Sequence, residues 1–335
     1  MRFSLTTLAV SATLASLASA LSSSLQQVTA FNDGPTKAGM YVYVPSGVSG
    51  PAPIIVAIHY CTGTANAYFS NTQYANLADT HGFIVIYPNA PSSGGCWDVA
   101  STASLTHNGG GDSLTIVNMV KYAVANFGGD ADRVYATGSS SGAMMTNVLA
   151  GAYPDVFKAG SSYSGVPDGC FYVAGAQPGQ DTPGWNSQCS GGTLIKSAQE
   201  WGDQVRSYYP GYTGSYPKML IWHGTADTTL AYPNYAEALK QWSNVLGVSQ
   251  TATNQNTPDA GYTQSVYGTT LVGYSGQGVG HTVPVHEAVD LACPATEGAF
   301  DLAEEGACGI AEEGAFGTAE EGTFGIAKEG AFGIA

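Results

Sequence analysis

The run Arg133-Val134-Tyr135-Ala136-Thr137-Gly138-Ser139-Ser140-Ser141-Gly142-Ala143-Met144-Met145 passes from a strand pattern through G-x-S-x-G into helix formers. G-x-S-x-G alone is a weak signal in a chain with 44 glycines. Its flanks give it weight. A strand before and a helix after produce the sharp turn that pushes the central serine outward, a nucleophile elbow, whereas a plain glycine–serine loop needs neither. Small residues on both sides of Ser140 permit such a turn.

Outward from this point the chain alternates strand and helix. Residues 54–58 (Ile-Ile-Val-Ala-Ile), 83–87 (Phe-Ile-Val-Ile-Tyr, stopped by Pro88) and 218–222 (Lys-Met-Leu-Ile-Trp) are continuous apolar runs, as buried parallel strands require. Residues 132–137 form a further strand. Helices are expected over 68–80, 112–127, 142–151 and 235–246, with a short one over 285–291. The spacing of Leu114, Val117, Val120, Tyr122 and Val124 is near-helical. This alternation predicts an α/β domain with a mostly parallel central sheet flanked by helices. Ligands of such sheets bind beyond the carboxyl ends of the strands, so the loops just after strands carry the chemistry.

A serine hydroxyl is a poor nucleophile without a base. Of six histidines, His281 lies in the glycine-rich loop Gly278-Val279-Gly280-His281-Thr282. His223 ends a strand, where it orients a loop. His59 precedes the Tyr60-Cys61-Thr62-Gly63 loop, His286 falls in the short last helix as an exposed or capping residue, and His81 and His107 read as surface or loop residues. The order Ser, acid, His is that of the elbow hydrolases, which places the acid between Ser140 and His281. Asp227 follows the strand ending at Trp222 and is the best candidate, since a buried carboxylate there would hold the imidazole in its useful tautomer. Asp203 and Asp259 are the alternatives, and both look solvated. Acyl transfer also needs N–H donors for a developing oxyanion. Ser141, after the nucleophile, supplies one, and Cys61 or Thr62, after the 54–58 strand, supplies the other.

Composition narrows the class. Ten Lys+Arg against 25 Asp+Glu give a net charge of −15, which argues against a nucleic-acid partner. Eleven per cent aromatics and several apolar runs exclude disorder throughout. Residues 1–20 read as a secretory signal. Arg2 precedes a small-apolar run, and Ala18-Ser19-Ala20 matches an A-x-A cleavage site. No later stretch reaches membrane length, so an exported, extracellular protein with no membrane attachment is expected. Export makes disulfides the natural reading of the cysteines. Cys61, Cys96, Cys170 and Cys189 allow three connectivities, of which Cys61–Cys96 and Cys170–Cys189 are favoured. The second pair brackets a Gly/Pro/polar loop. Zinc lacks any supporting spacing, and no N-x-S/T sequon is present.

Residues 296–335 repeat with a period of eight (TEGAFDLA, EEGACGIA, EEGAFGTA, EEGTFGIA, KEGAFGIA). Recurrent glycine opposes helix there, and a disordered acidic tail over 294–335 is the plain reading. The folded α/β domain then spans 21–293.

With these residues in hand, the chain resembles the secreted fungal acetylxylan esterases of carbohydrate esterase family one. The resembling blocks are His59-Tyr60-Cys61-Thr62-Gly63-Thr64, Tyr87-Pro88 with Gly95-Cys96-Trp97-Asp98, the Gly138–Gly142 elbow, Gln199-Glu200-Trp201-Gly202-Asp203, His223-Gly224-Thr225-Ala226-Asp227 and Gly280-His281-Thr282-Val283-Pro284. Together they cover about residues 25–291. The chain departs from that family at its end, where Leu291-Ala292 runs into Cys293-Pro294 and the repeats. The resemblance implies an α/β-hydrolase fold and removal of O-acetyl groups from acetylated xylan. It carries Ser140, Asp227 and His281 over as the charge-relay residues. No metal or organic cofactor is expected, and a monomer is. Trp97, Trp185 and Trp201 are candidates to stack on sugar rings, with Trp201 and Trp97 as the substrate-binding assignments. Feruloyl esterases and polyester depolymerases share the fold and the triad. A non-catalytic binding protein on the same scaffold would lack a triad member, and none is missing.

Overall fold

A computed structural model describes residues 21–48, 50–178 and 185–292. The signal expected over 1–20, the repeats over 294–335, and Cys293 and Cys308 lie outside the described residues. Among those residues the strands are β1 (Gln26–Val28), β2 (Gly39–Tyr43), β3 (Ala52–Ile58), β4 (Ile84–Asn89), β5 (Gly129–Ser139), β6 (Ala159–Tyr163), β7 (Lys218–Gly224), β8 (Ala252–Gln255), β9 (Tyr262–Tyr267) and β10 (Leu271–Gly276). The helices are α1 (Ala65–Asn71), α2 (Tyr74–His81), α3 (Asp112–Phe127), α4 (Ser141–Ala152), α5 (Ser187–Ser190), α6 (Ala198–Arg206), α7 (Pro233–Leu246) and α8 (Glu287–Asp290).

All the strands join one sheet, in the order β1-β2-β4-β3-β5-β6-β7-β10-β9-β8. The middle, β4 through β10, is parallel at every pairing. Antiparallel strands close both edges. β3 is buried at every residue, and alternate side chains feed opposite faces. Ile54, Val56 and Ile58 join the core under α3, α4, α6 and α7, which supply Ile116, Met145, Trp201 and Trp242. Ile55 and Ala57 join the other core, under α1 and α2, with Tyr68, Tyr74 and Ala78. Two-sided cover is what a continuous apolar strand demands.

Three of the departures from expectation have an identifiable physical reason. The helix expected over 68–80 is two helices. Thr72 is extended at φ −125°, ψ 160°; its hydroxyl donates to the Tyr68 carbonyl, and the Gln73 N–H donates to Glu287 Oε1 of α8. Pro88 does not stop β4, which runs on to Asn89. The β3 ladder has already ended at Ile86, so the missing N–H costs no bond on that side. β5 begins three residues early, because Gly129 pairs with Ala52. The short last helix is pinned by its acid. Asp290 is fully buried and accepts hydroxyls from Tyr74 and Tyr163 at 2.5 and 2.9 Å.

Candidate active site

The elbow takes the form its sequence implies. β5 ends at Ser139, Ser140 alone makes the turn at φ 54°, ψ −116°, and α4 starts at Ser141. Positive φ is costly for a side-chain-bearing residue. Here the Ser140 N–H is held by the Tyr163 carbonyl at 2.8 Å. The two motif glycines are steric requirements. A Cβ on Gly142 would lie 2.1 Å from the Ile58 carbonyl oxygen, and one on Gly138 would lie 2.5 Å from the Gly142 backbone. Any side chain at either place would push the elbow off the end of β3.

Ser140 Oγ lies 2.9 Å from His281 Nε2, and His281 Nδ1 lies 2.8 Å from Asp227 Oδ2. An ionised carboxylate only accepts, so Nδ1 carries the hydrogen and Nε2 is left to accept from the serine. The three residues come from loops after β5, β7 and β10, all at the carboxyl ends of parallel strands. The acid and histidine loops are laced together. Thr225 N–H donates to Gly276, Ala226 N–H to Val279, and Gly278 N–H to the Thr225 hydroxyl. Gly224 makes room, since a Cβ there would sit 2.2 Å from the Val279 carbonyl oxygen.

Asp227 is buried, and its other oxygen accepts the N–H groups of Thr229 and Leu230 at 2.8 and 2.9 Å. His223 is buried as well, with Nε2 2.7 Å from the Leu230 carbonyl and 3.2 Å from Asp227 Oδ2. Burial alone would raise the Asp227 carboxyl. The bonds from His223, His281 and Leu230 outweigh it and hold the group well below the usual carboxylate range. Asp227 therefore stays ionised beside His281 across the working pH range. Asp203 and Asp259 remain solvated, with side chains 60% and 65% exposed.

The oxyanion candidates separate. Thr62 is removed, because its N–H is already donated to the Gly94 carbonyl at 2.8 Å. The N–H groups of Cys61 and Ser141 have no acceptor among the described residues, and Cys61 lines the same cavity as Ser140. The Cys61 loop is anchored by a disulfide to Cys96. The second bridge joins Cys170 and Cys189.

Two of the aromatic assignments are corrected. Trp97 is wholly buried; its indole N–H donates to the His59 carbonyl and its backbone N–H to the Ser141 hydroxyl, at 2.9 and 2.8 Å. It braces the Cys61 loop against the elbow from behind. Trp201 is also wholly buried, with its indole N–H 2.7 Å from Glu237 Oε2. Neither has a free ring face for a sugar. Trp185 does, being 57% exposed and part of the cavity wall. That cavity holds about 740 Å³, and Tyr60, Tyr68, Tyr163, Val283 and Pro284 give it a largely apolar wall. Sequence reading missed these tyrosines as site residues, because Tyr68 on a core helix and Tyr163 on a strand carry the same signal as any packed aromatic. His286 is not an exposed residue of the last helix. It caps α8 and stacks on Trp222 at 4.5 Å.

Residues 39–264 match the family described as esterase PHB depolymerase. Acetylxylan esterase A of Aspergillus ficuum is 52% identical over 273 residues, 81% of this chain and 89% of that protein. Acetylxylan esterase A of Talaromyces purpureogenus is 51% identical, over 80% of this chain and 70% of that protein. The solved acetyl xylan esterase from Aspergillus awamori superposes with a TM-score of 0.77 at 50% identity, over 80% of this chain and 97% of that one. This likeness, with the mostly parallel sheet and the elbow at Ser140, makes the architecture an α/β-hydrolase fold. The chain belongs to the esterase PHB depolymerase family, among its acetylxylan esterases.

Proposed function

We propose that the protein removes O-acetyl groups from acetylated xylan through an acetyl-enzyme on Ser140. Membership of an esterase family makes it a carboxylic-ester hydrolase, and relatives at about half identity that bear the name acetylxylan esterase support the substrate class. The observation that carries the chemistry is the unbroken row Ser140 Oγ, His281, Asp227.

In this reading His281 Nε2 takes the Ser140 proton as Oγ attacks the acetyl carbonyl carbon. Asp227 fixes the ring by its Nδ1–H and stabilises the imidazolium. The free N–H groups of Cys61 and Ser141 receive the oxyanion. The tetrahedral intermediate collapses, and the xylose hydroxyl leaves with the proton held on His281. Water, deprotonated by the same nitrogen, then releases acetate and restores Ser140. The protein acts as a secreted, extracellular monomer without membrane attachment, its signal removed near residue 20. Two disulfides suit an oxidising compartment, and no helix among the described residues is long and apolar enough to cross a membrane.

The test is acetate release from acetylated xylan and ferulate release from methyl ferulate, for the protein and its Ser140→Ala variant. Acetate release lost in the variant is expected. Ferulate release in its place would keep the mechanism and overturn the substrate. Activity that survives Ser140→Ala would overturn the nucleophile.

A further inference from the structure

A second cavity, of about 580 Å³, lies against the disulfide-bridged segment that also borders the active site. The two cavities share that segment as a wall. Trp185 lines the first, and the next residue, Asn186, lines the second. Phe171 meets the Trp185 ring edge-on at 5.4 Å, and its neighbour Tyr172 lines the second cavity. Tyr172, Trp185 and Ile195 are the large apolar side chains left exposed among the described residues, at 45%, 57% and 59%. Tyr172 and Trp185 lie on this segment, one at each cavity, and Ile195 follows shortly after it. Exposed apolar groups gathered at a cavity mark a binding surface more often than chance.

The lining states the chemistry of the ligand. Lys196 is its one charged side chain. That ammonium lies 2.5 Å from Gln204 Oε1 and 4.2 Å from the centre of the Trp201 ring. The remaining polar groups are neutral; the side chains of Asn186, Gln204 and Ser207 are bonded within the wall, and the others are not. The Gln188 amide, the Thr102 and Thr106 hydroxyls and the Tyr172 phenol make no hydrogen bond to a described residue. The Tyr208 hydroxyl in the same wall is buried without a partner. A purely apolar ligand would leave these groups unsatisfied, and buried polar groups without partners are costly. A neutral ring with an apolar face and several hydroxyls meets both demands.

We propose that this cavity is a second glycan subsite, which holds xylose units of the same polymer at a distance from the one whose acetyl group enters the Ser140 cavity. The inference rests on the substrate class proposed above. Sugar rings stack on Tyr172, and Gln188 and the free hydroxyls take the sugar hydroxyls. The Cys170–Cys189 bridge keeps the shared wall in place. The subsite contributes to polymer binding and leaves the chemistry at Ser140 untouched.

The test compares the protein with Tyr172→Ala and Gln188→Ala, both changes of exposed side chains. KM for acetylated xylan is expected to rise about three- to tenfold in Tyr172→Ala, the range of one aromatic contact. Turnover of p-nitrophenyl acetate, which is too short to reach the second cavity, is expected to stay unchanged. Equal loss on both substrates, or an unchanged KM for the polymer, overturns the subsite. A direct binding measurement separates this outcome from failure of the acetyl reading. Unacetylated xylohexaose is titrated into Ser140→Ala with and without Tyr172→Ala. Binding weakened by the Tyr172 change supports the subsite even if no acetate is released from xylan, and no binding, or binding indifferent to Tyr172, overturns it.

Discussion

Ser140 holds its backbone in a region that only glycine enters freely, and the molecule maintains it with neighbours that have no side chains. Gly142→Ala places a methyl within 2.1 Å of the Ile58 carbonyl oxygen, and the clash is with backbone on both sides. The expected result is a lower melting temperature and loss of esterase activity together. A stable, active Gly142→Ala protein would show that the elbow has slack. His223 acts on Asp227 and does not reach Ser140. His223→Ala leaves the carboxylate one donor short, and a hydrogen bond to a charged group is worth about 1.5–3 kcal/mol. We expect kcat to fall by about ten- to a hundredfold on that scale with KM nearly constant, and His223→Gln, which keeps a donor, to recover part of it. A fall in KM affinity with kcat intact would assign His223 to substrate binding. Asp227→Asn should be more severe, by about three to four orders of magnitude in kcat, since the amide favours the wrong imidazole tautomer.

At the scale of elements, the loop after β3 depends on a covalent anchor. Cys61 is bridged to Cys96, Thr62 N–H is tied to Gly94, and Trp97 bonds both the His59 carbonyl and the Ser141 hydroxyl. The two sides of the proposed oxyanion site are thus braced by one short stretch, residues 94–97. Replacing Cys61 and Cys96 together by serine is expected to cost about 2–4 kcal/mol of stability. It should lower kcat more than it raises KM, as read from thermal melts and acetate release. Many element positions were legible in sequence. Asp112–Phe127 matches its expected helix residue for residue, and α4 and α7 fall within two residues of theirs. The misses came from partners that local pattern does not show. The break at Thr72 serves a contact to Glu287 more than two hundred residues away, and local periodicity carries no trace of such a partner. Pro88 misled because its exclusion from strands is a rule about ladder bonds, and the ladder to β3 had already ended.

Across the whole molecule, three buried acids weigh on the pH response of stability, against the opposite pull of His59 and His286, which burial lowers. Asp168, Asp290 and Asp112 are almost fully buried. Burial pushes their carboxyl groups up to about 8, 7 and 6 respectively. In the unfolded chain they ionise near about 4. Between that value and the folded one the native state keeps a proton that the unfolded state has released, so stability falls as pH rises through the window. Asp227 works in the opposite sense. Its carboxyl is depressed in the fold, so its contribution is full above about pH 4 and is lost only under stronger acid. The melting temperature is expected to be higher at pH 5 than at pH 8, and Asp168→Asn should flatten that slope. A melting temperature that rises between those values would refute this account.

The sequence by itself determined the α/β alternation, the elbow at Ser140, and the order of serine, acid and histidine. Each rests on short-range information: strand and helix periodicity, the small residues that a tight turn needs, and loops that follow strands. It favoured Cys61–Cys96 and Cys170–Cys189 among three connectivities, left two donors open at Cys61 and Thr62, and assigned Trp97 and Trp201 wrongly to the substrate. Only the tertiary structure decided these. An N–H is available or spent according to what lies across from it, and Gly94 takes the one on Thr62. An indole stacks on a sugar only if its face is uncovered, and packing against His59 and Glu237 covers Trp97 and Trp201 while Trp185 stays open. Burial and pairing depend on residues far apart in the chain, and the fold alone brings them together.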